Sequence, residues 1–267
     1  MVWRLRLKKI QFIGRENGLE SCSKIEDMIE YTLYCISITR IITGGKLNMR
    51  NQKTYEMVLT ALFAAIIVIM AFTPFGYIPL GVINATIIHI PVILGALFLG
   101  PKIGASLGFI FGLTSMLKAT FIGGTVSSFV FSPVLAAGIE GGAGAVKSVL
   151  ICFVPRILVG VIPYYVFCLI RKCLKRGSRA IGFAAAGVSG ALTNTILVMG
   201  GIYLLFKDSY AEAIGVSAKA VLGIVMGIVG TNGIPEALVA GVITVAVGEV
   251  LYKIRPIPMT EKTGANN

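Results

Sequence analysis

The chain has 267 residues, of which 56% are apolar and only 13% charged. Soluble domains carry about a quarter charged residues, so this composition defines a polytopic membrane protein. The formal charge of +12 does not argue for nucleic acid, because the basic residues of membrane proteins gather in cytoplasmic loops. Five cysteines, Cys22, Cys35, Cys152, Cys168 and Cys173, form no CxxC pair, which speaks against a disulfide framework or a zinc site.

Residues 1–48 differ from the rest: they hold eight of the 24 Lys and Arg and no long apolar run. A charged start without an apolar core and cleavage site is not a secretory signal peptide. The segment reads either as a cytoplasmic extension or as upstream sequence translated in frame from an early start codon. Gly44-Gly45-Lys46 can be encoded by a purine-rich stretch of the kind that binds bacterial ribosomes, two codons before Met49. That favours Met49 as the natural start. Intact mass of protein made from the native gene decides between the two.

From Thr54 onward, six apolar segments are expected to span the membrane, approximately 54–72, 84–99, 102–119, 149–170, 181–206 and 232–252. Each is near the length that crosses about 30 Å of hydrocarbon as a helix. Two more apolar stretches, 121–139 and 218–230, are broken by Gly, Ser and Pro or too short, and are expected to be loops and partial helices tucked against the bundle. The fold class is therefore an all-α membrane protein of six transmembrane helices spanning 49–255, with a cytoplasmic tail at 256–267. Placing the start inside puts eleven Lys and Arg on one side and five on the other, which sets both termini in the cytoplasm. The long connections, 73–83, 120–148 and 207–231, then fall outside and are apolar. A lidded pocket opening outward follows, since long loops in compact proteins are usually functional.

Small residues recur at four-residue spacing as Ala61 and Ala65 in the first span and as Gly104, Gly108 and Gly112 in the third. Such stripes let helix backbones approach closely. They serve either packing within the chain or docking of another membrane subunit. Segment 139–149, IEGGAGAVKSV, imitates a phosphate-binding loop, but Val146 stands where the motif needs glycine, so nucleotide binding is not expected.

Polar groups inside the spans are few, and intramembrane ionisable groups default to a functional role. Asn84 and His89 lie near the second span, Arg156 in the fourth, Asn194 in the fifth, Asn232 and Glu236 at the head of the sixth. They are expected to converge on one outward-facing level as a substrate-binding set. Glu236 has two candidate partners, Arg156 as a structural ion pair or the ligand itself. Pro235 suits a first helical turn, where its missing N–H costs nothing. Glu249 can reach Lys253 at i+4. His89 is the sole histidine, and Asp27 and Asp208 the sole aspartates. An intramembrane zinc hydrolase and an aspartyl protease therefore both lack their ligands, and no catalytic residue, metal or cofactor is expected.

The segments TALFAAIIVIMAFTPFGYIPLG (60–81), INATIIHIPVILGALFLGPKIGASLGFIFGLTS (83–115) and NGIPEALVAGVI (232–243) resemble the substrate-binding S component of bacterial energy-coupling factor (ECF) vitamin transporters. The resemblance implies a bacterial cell-membrane protein without enzymatic activity of its own, partnered by a transmembrane T component and two ATPases. It also implies that Ala61 and Ala65 face the T component, with Gly104, Gly108 and Gly112 assigned to the same interface. Among family members, those resembling pantothenate carriers are nearest in character, and Arg156 would suit a ligand carboxylate. The alternative is an autonomous ion-coupled secondary transporter working through Glu236. That architecture predicts inverted repeats, and no clear half-to-half symmetry is found.

Overall fold

The computed structural model describes residues 52–73, 76–80, 83–123, 127–174 and 179–254. The expectations for 1–48 and 256–267 lie outside the described residues, as do Lys175, Arg176 and Arg255.

The described chain is a helical bundle with one short hairpin. Helix α1 (Gln52–Phe72) leads to strands β1 (Tyr77–Leu80) and β2 (Ile83–Thr86), then α2 (His89–Leu99) and α3 (Pro101–Phe121). After the short α4 (Ser128–Phe131) come α5 (Pro133–Val159), α6 (Ile162–Cys173) and α7 (Arg179–Leu205). Helices α8 (Lys207–Ile214) and α9 (Val221–Ile228) follow, and a π-helical turn at Val229–Gly233 runs into α10 (Ile234–Ile254). The strands pair antiparallel, with Tyr77 opposite Thr86 and Leu80 opposite Ile83.

Among the described residues, five helical runs are long and apolar enough to cross a membrane: Thr54–Phe72, Pro101–Phe121, Pro133–Cys173, Arg179–Leu205 and Val221–Lys253. The segment expected as the second span differs. Its first residues form β2, and the remainder is the 11-residue α2, almost every residue of which is buried. At 1.5 Å per residue that helix is about 16 Å long, roughly half the hydrocarbon thickness. Extended backbone at such a position is tolerated where protein surrounds it or a cavity adjoins it.

Segment 121–139 holds a partial helix, α4, in line with the expectation of loops and partial helices, but its end belongs to a long helix, because α5 begins at Pro133 rather than near 149. The chemistry was present in the sequence. Pro133 occupies the helix start, where a missing N–H is harmless, and the Ser132 Oγ accepts a hydrogen bond from the Leu135 N–H at 3.3 Å. The glycines that suggested a loop produce a single break inside the helix, at Gly141 with φ 66° and ψ −154°. The 218–230 stretch is the partial helix expected, α9.

Close backbone approach holds the bundle together. A Cβ added at Gly104 would fall within contact distance of the Gly160 carbonyl and Ala96, and one at Gly108 would strike the backbone of Arg156 and Ile157. Gly112 lies against Cys152 and Phe153. The stripe on α3 is thus consumed by α5 inside this chain, which corrects its assignment to a partner interface. Ala61 and Ala65, by contrast, are exposed on α1. Between α7 and α10, Gly187 lies against Ala240 and Thr244. Around the buried Phe183, the rings of Phe98, Phe167 and Tyr252 lie at centroid distances of 6.2, 5.1 and 6.4 Å. Glu249 pairs with Arg179 on α7 at 3.8 Å rather than with Lys253, a cross-helix contact that spacing along one helix could not reveal.

Gly104→Val should overpack the α3–α5 contact and lower the thermal midpoint in detergent, a cost of about 1–3 kcal/mol or more. Gly200→Ala, where an added Cβ meets nothing within 4 Å, should leave the midpoint unchanged.

Candidate ligand-binding site

One cavity of about 430 Å³ gathers polar groups from nearly every part of the bundle. That volume falls in the range of small-molecule sites, which are mostly apolar with a few converging polar groups. Helix α3 contributes Phe111, Ser115 and Lys118; α4 contributes Ser128 and Phe131; α5 contributes Arg156. On the opposite wall stand Asn194, Thr195, Val198 and Met199 of α7, Asn232 of the π-turn and Glu236 of α10, with Thr86 at the end of β2.

Glu236 is only 7% exposed. Its carboxylate accepts hydrogen bonds from the Thr86 backbone N–H at 2.7 Å and from the Thr195 Oγ1 at 3.4 Å. Among the described residues it forms no ion pair, so the structural pairing with Arg156 considered from sequence is not made. Arg156, also 7% exposed, donates from Nη1 to the Ile151 carbonyl at 2.8 Å and lies over the ring of Phe131 at 5.0 Å. The acid and the base therefore present themselves separately to one cavity.

The head of α10 explains how Asn232 and Glu236 reach it. Pro235 is not at a free helix start; helical structure runs on from α9. An interior proline clashes with the carbonyl four residues back and removes a hydrogen bond. The wider π-turn at Val229–Gly233 accommodates both effects, and such turns cluster at functional sites. Thr231 Oγ1 donates back to the Gly227 carbonyl at 2.9 Å and to Asn232 Oδ1 at 3.2 Å. Across the cavity, Asn194 Oδ1 is buried without a hydrogen-bond partner, an acceptor that a ligand donor would satisfy.

Of the six residues proposed from sequence, Arg156, Asn194, Asn232 and Glu236 line this cavity and His89 does not. Asn84 is on β2, where its backbone pairs with Pro79; its side chain lies outside the described residues. His89 is 1% exposed at the start of α2, with both ring nitrogens lacking hydrogen-bond partners. It belongs to the core of the bundle and not to the cavity lining. Lys118 is the main residue missed. It was counted as a loop cation, yet it lines the cavity and donates to the Ala71 carbonyl at 3.0 Å, near the C-terminal end of α1. A cation there is favoured by the helix dipole.

A helical membrane bundle holding a small mixed-charge cavity, with no cluster of metal-binding side chains among the described residues, has the makings of a membrane-embedded binding protein for a small polar metabolite. The chain belongs to the family described as ECF transporter, substrate-specific component, whose model matches residues 55–248. It is 35% identical over 216 residues to the pantothenic acid transporter PanT of Lactococcus lactis subsp. cremoris (strain MG1363), covering 78% of this chain and 98% of that protein. It is 31% identical over 221 residues to the pantothenate transporter PanT of Leuconostoc mesenteroides subsp. mesenteroides, covering 81% and 98% respectively.

Glu236→Ala strands the Thr86 N–H, and an unsatisfied buried donor costs about 1–3 kcal/mol. Glu236→Gln keeps an acceptor. Thermal unfolding in detergent without ligand should therefore place Glu236→Ala below Glu236→Gln.

Proposed function

We propose that this chain is the pantothenate-capturing subunit of an ECF importer. The observation that carries the reading is the charge inventory of one cavity: among its described lining residues, the cations Arg156 and Lys118 stand with one carboxylate, Glu236. A lining that combines cations with several hydrogen-bonding groups suits a small anion that carries polar groups of its own. Pantothenate carries one carboxylate, one amide and two hydroxyls. The carboxylate meets the Arg156 guanidinium, whose fork of donors matches a carboxylate's geometry. The hydroxyls and amide fall to Glu236, Asn232 and Asn194 on the opposite wall. The names of the two relatives support the same ligand.

Chemical energy then comes from elsewhere. A T component docks on the exposed Ala61 and Ala65 face of α1, and two ATPases bound to it drive release into the cell. The protein sits in the bacterial plasma membrane with both termini cytoplasmic, as the loop cations indicate, and the cavity receives substrate from outside.

Isothermal titration of the full chain in mild detergent tests the capture role. Pantothenate should bind, and Arg156→Gln should weaken it by about 100-fold or more, the scale of losing one member of a buried charge pair. Ala61→Leu and Ala65→Leu should leave that affinity intact while abolishing ATP-dependent uptake in cells that hold the partner subunits. Uptake by the lone chain in liposomes under an imposed ion gradient would overturn the subunit reading in favour of an autonomous transporter.

A further inference from the structure

Helix α10 carries the cavity residue Glu236 at its start and Lys253 at its end, about 25 Å away at 1.5 Å per residue. At that far end three membrane-length runs meet the boundary: Pro133–Cys173 and Val221–Lys253 finish there and Arg179–Leu205 begins. Aromatic packing draws the three together, since the Phe183 ring of α7 lies 5.1 Å from Phe167 of α6 and 6.4 Å from Tyr252 of α10. Cations surround this cluster. Gly182 lies against Phe167 and the side chain of Arg171, and the Arg179 guanidinium stands 4.7 Å over the Tyr252 ring. Arg179 also pairs with Glu249 at 3.8 Å, whereas Arg171, Lys172 and Lys253 form no ion pair among the described residues.

Beside the cations the surface turns apolar. Tyr165, Leu169 and Lys172 follow one another at i, i+4 and i+7 along one face of α6, and Leu169 is 59% exposed while Phe167 is buried. On α7, Ile181 is 47% exposed two residues after Arg179. The exposed surface is therefore hydrocarbon-like along the spans and cationic where they end. We propose that the joined ends of α6 and α7 bind an anionic phospholipid, its phosphate held by Arg171, Lys172 and Arg179 and its acyl chains lying along Leu169 and Ile181. Cations at headgroup depth attract acidic lipids, and the guanidinium fork matches a phosphate. The aliphatic stems of Arg and Lys cover apolar surface while their charges reach the interface. A zwitterionic head brings its own cation into the same space and gains less. The inference does not draw on the cavity or its ligand.

The test is native mass spectrometry of the full chain released from micelles holding equal amounts of phosphatidylglycerol and phosphatidylcholine with matched acyl chains. Wild type should retain phosphatidylglycerol in preference. Arg171→Gln/Lys172→Gln should cut that preference roughly ten-fold, while Lys207→Gln/Lys219→Gln, the same charge change beyond the other end of α7, should move it less than about two-fold. Inorganic phosphate at millimolar concentration should not displace the lipid. If the first double variant does not fold, Lys172→Glu compared with Lys219→Glu carries the test, with the loss again confined to position 172. The proposal is overturned if wild type retains both lipids equally, if the two sets of variants lose the preference alike, which would mean attraction by net charge, or if inorganic phosphate displaces the lipid, which would mean a site for a free anion.

Discussion

The contact between α3 and α5 fixes where everything else in this protein can stand. Lipid offers no hydrophobic drive to push helices together, so association depends on close packing. Gly104, Gly108 and Gly160 supply that packing by removing the side chains that would hold the two backbones apart. The point of closest approach includes the backbone of Arg156 itself, which lies against Gly108. A bulkier residue at 108 would therefore move the arginine as well as the helix. Stability and site geometry share one set of glycines.

Irregular backbone is concentrated around the cavity. Thr86 ends the hairpin, Pro155 interrupts α5 one residue before Arg156, and the π-turn precedes Glu236. Each defect would be costly against lipid, where unsatisfied N–H and C=O groups have no water to turn to. Here each is matched by a nearby group. Glu236 accepts the Thr86 N–H, Arg156 serves the Ile151 carbonyl, and Thr231 donates back to Gly227. Glu236 and Arg156, which line the cavity, thus also satisfy the backbone groups freed beside it.

How much of this was legible in the sequence depended on the range of the interaction. Apolar run length is a local property, and it located helices α1, α3, α7 and α10 closely. Polar residues within apolar runs are also local signals, and Arg156, Asn194, Asn232 and Glu236 stood out for that reason. What sequence could not supply was the partner across the bundle. Glu249 finds Arg179, not the Lys253 one turn away. His89 turns out to be core, although its neighbours in sequence lead to the hairpin that bears Thr86. Lys118 lay at the edge of a span, where a lysine ordinarily marks the interface, and only the fold shows that this edge adjoins the cavity. The early start of α5 was masked by glycine and proline, whose usual meaning as helix breakers weakens where the surrounding protein satisfies the backbone.

The two small-residue stripes make the same point from one motif. Ala61 and Ala65 are exposed on α1, whereas Gly104, Gly108 and Gly112 on α3 are occupied by α5. Spacing alone cannot tell these apart, since both stripes permit close approach. The distinction is whether another helix of the same chain has already taken the groove. Because α5 fills the glycine groove, α3 is committed to holding Arg156 and Lys118 at the cavity. Helix α1 packs on α3, and its Ala71 carbonyl receives the cavity-lining Lys118. The small-residue face of α1 is thus left uncovered by the chain's own described helices, while the other end of the helix adjoins the cavity.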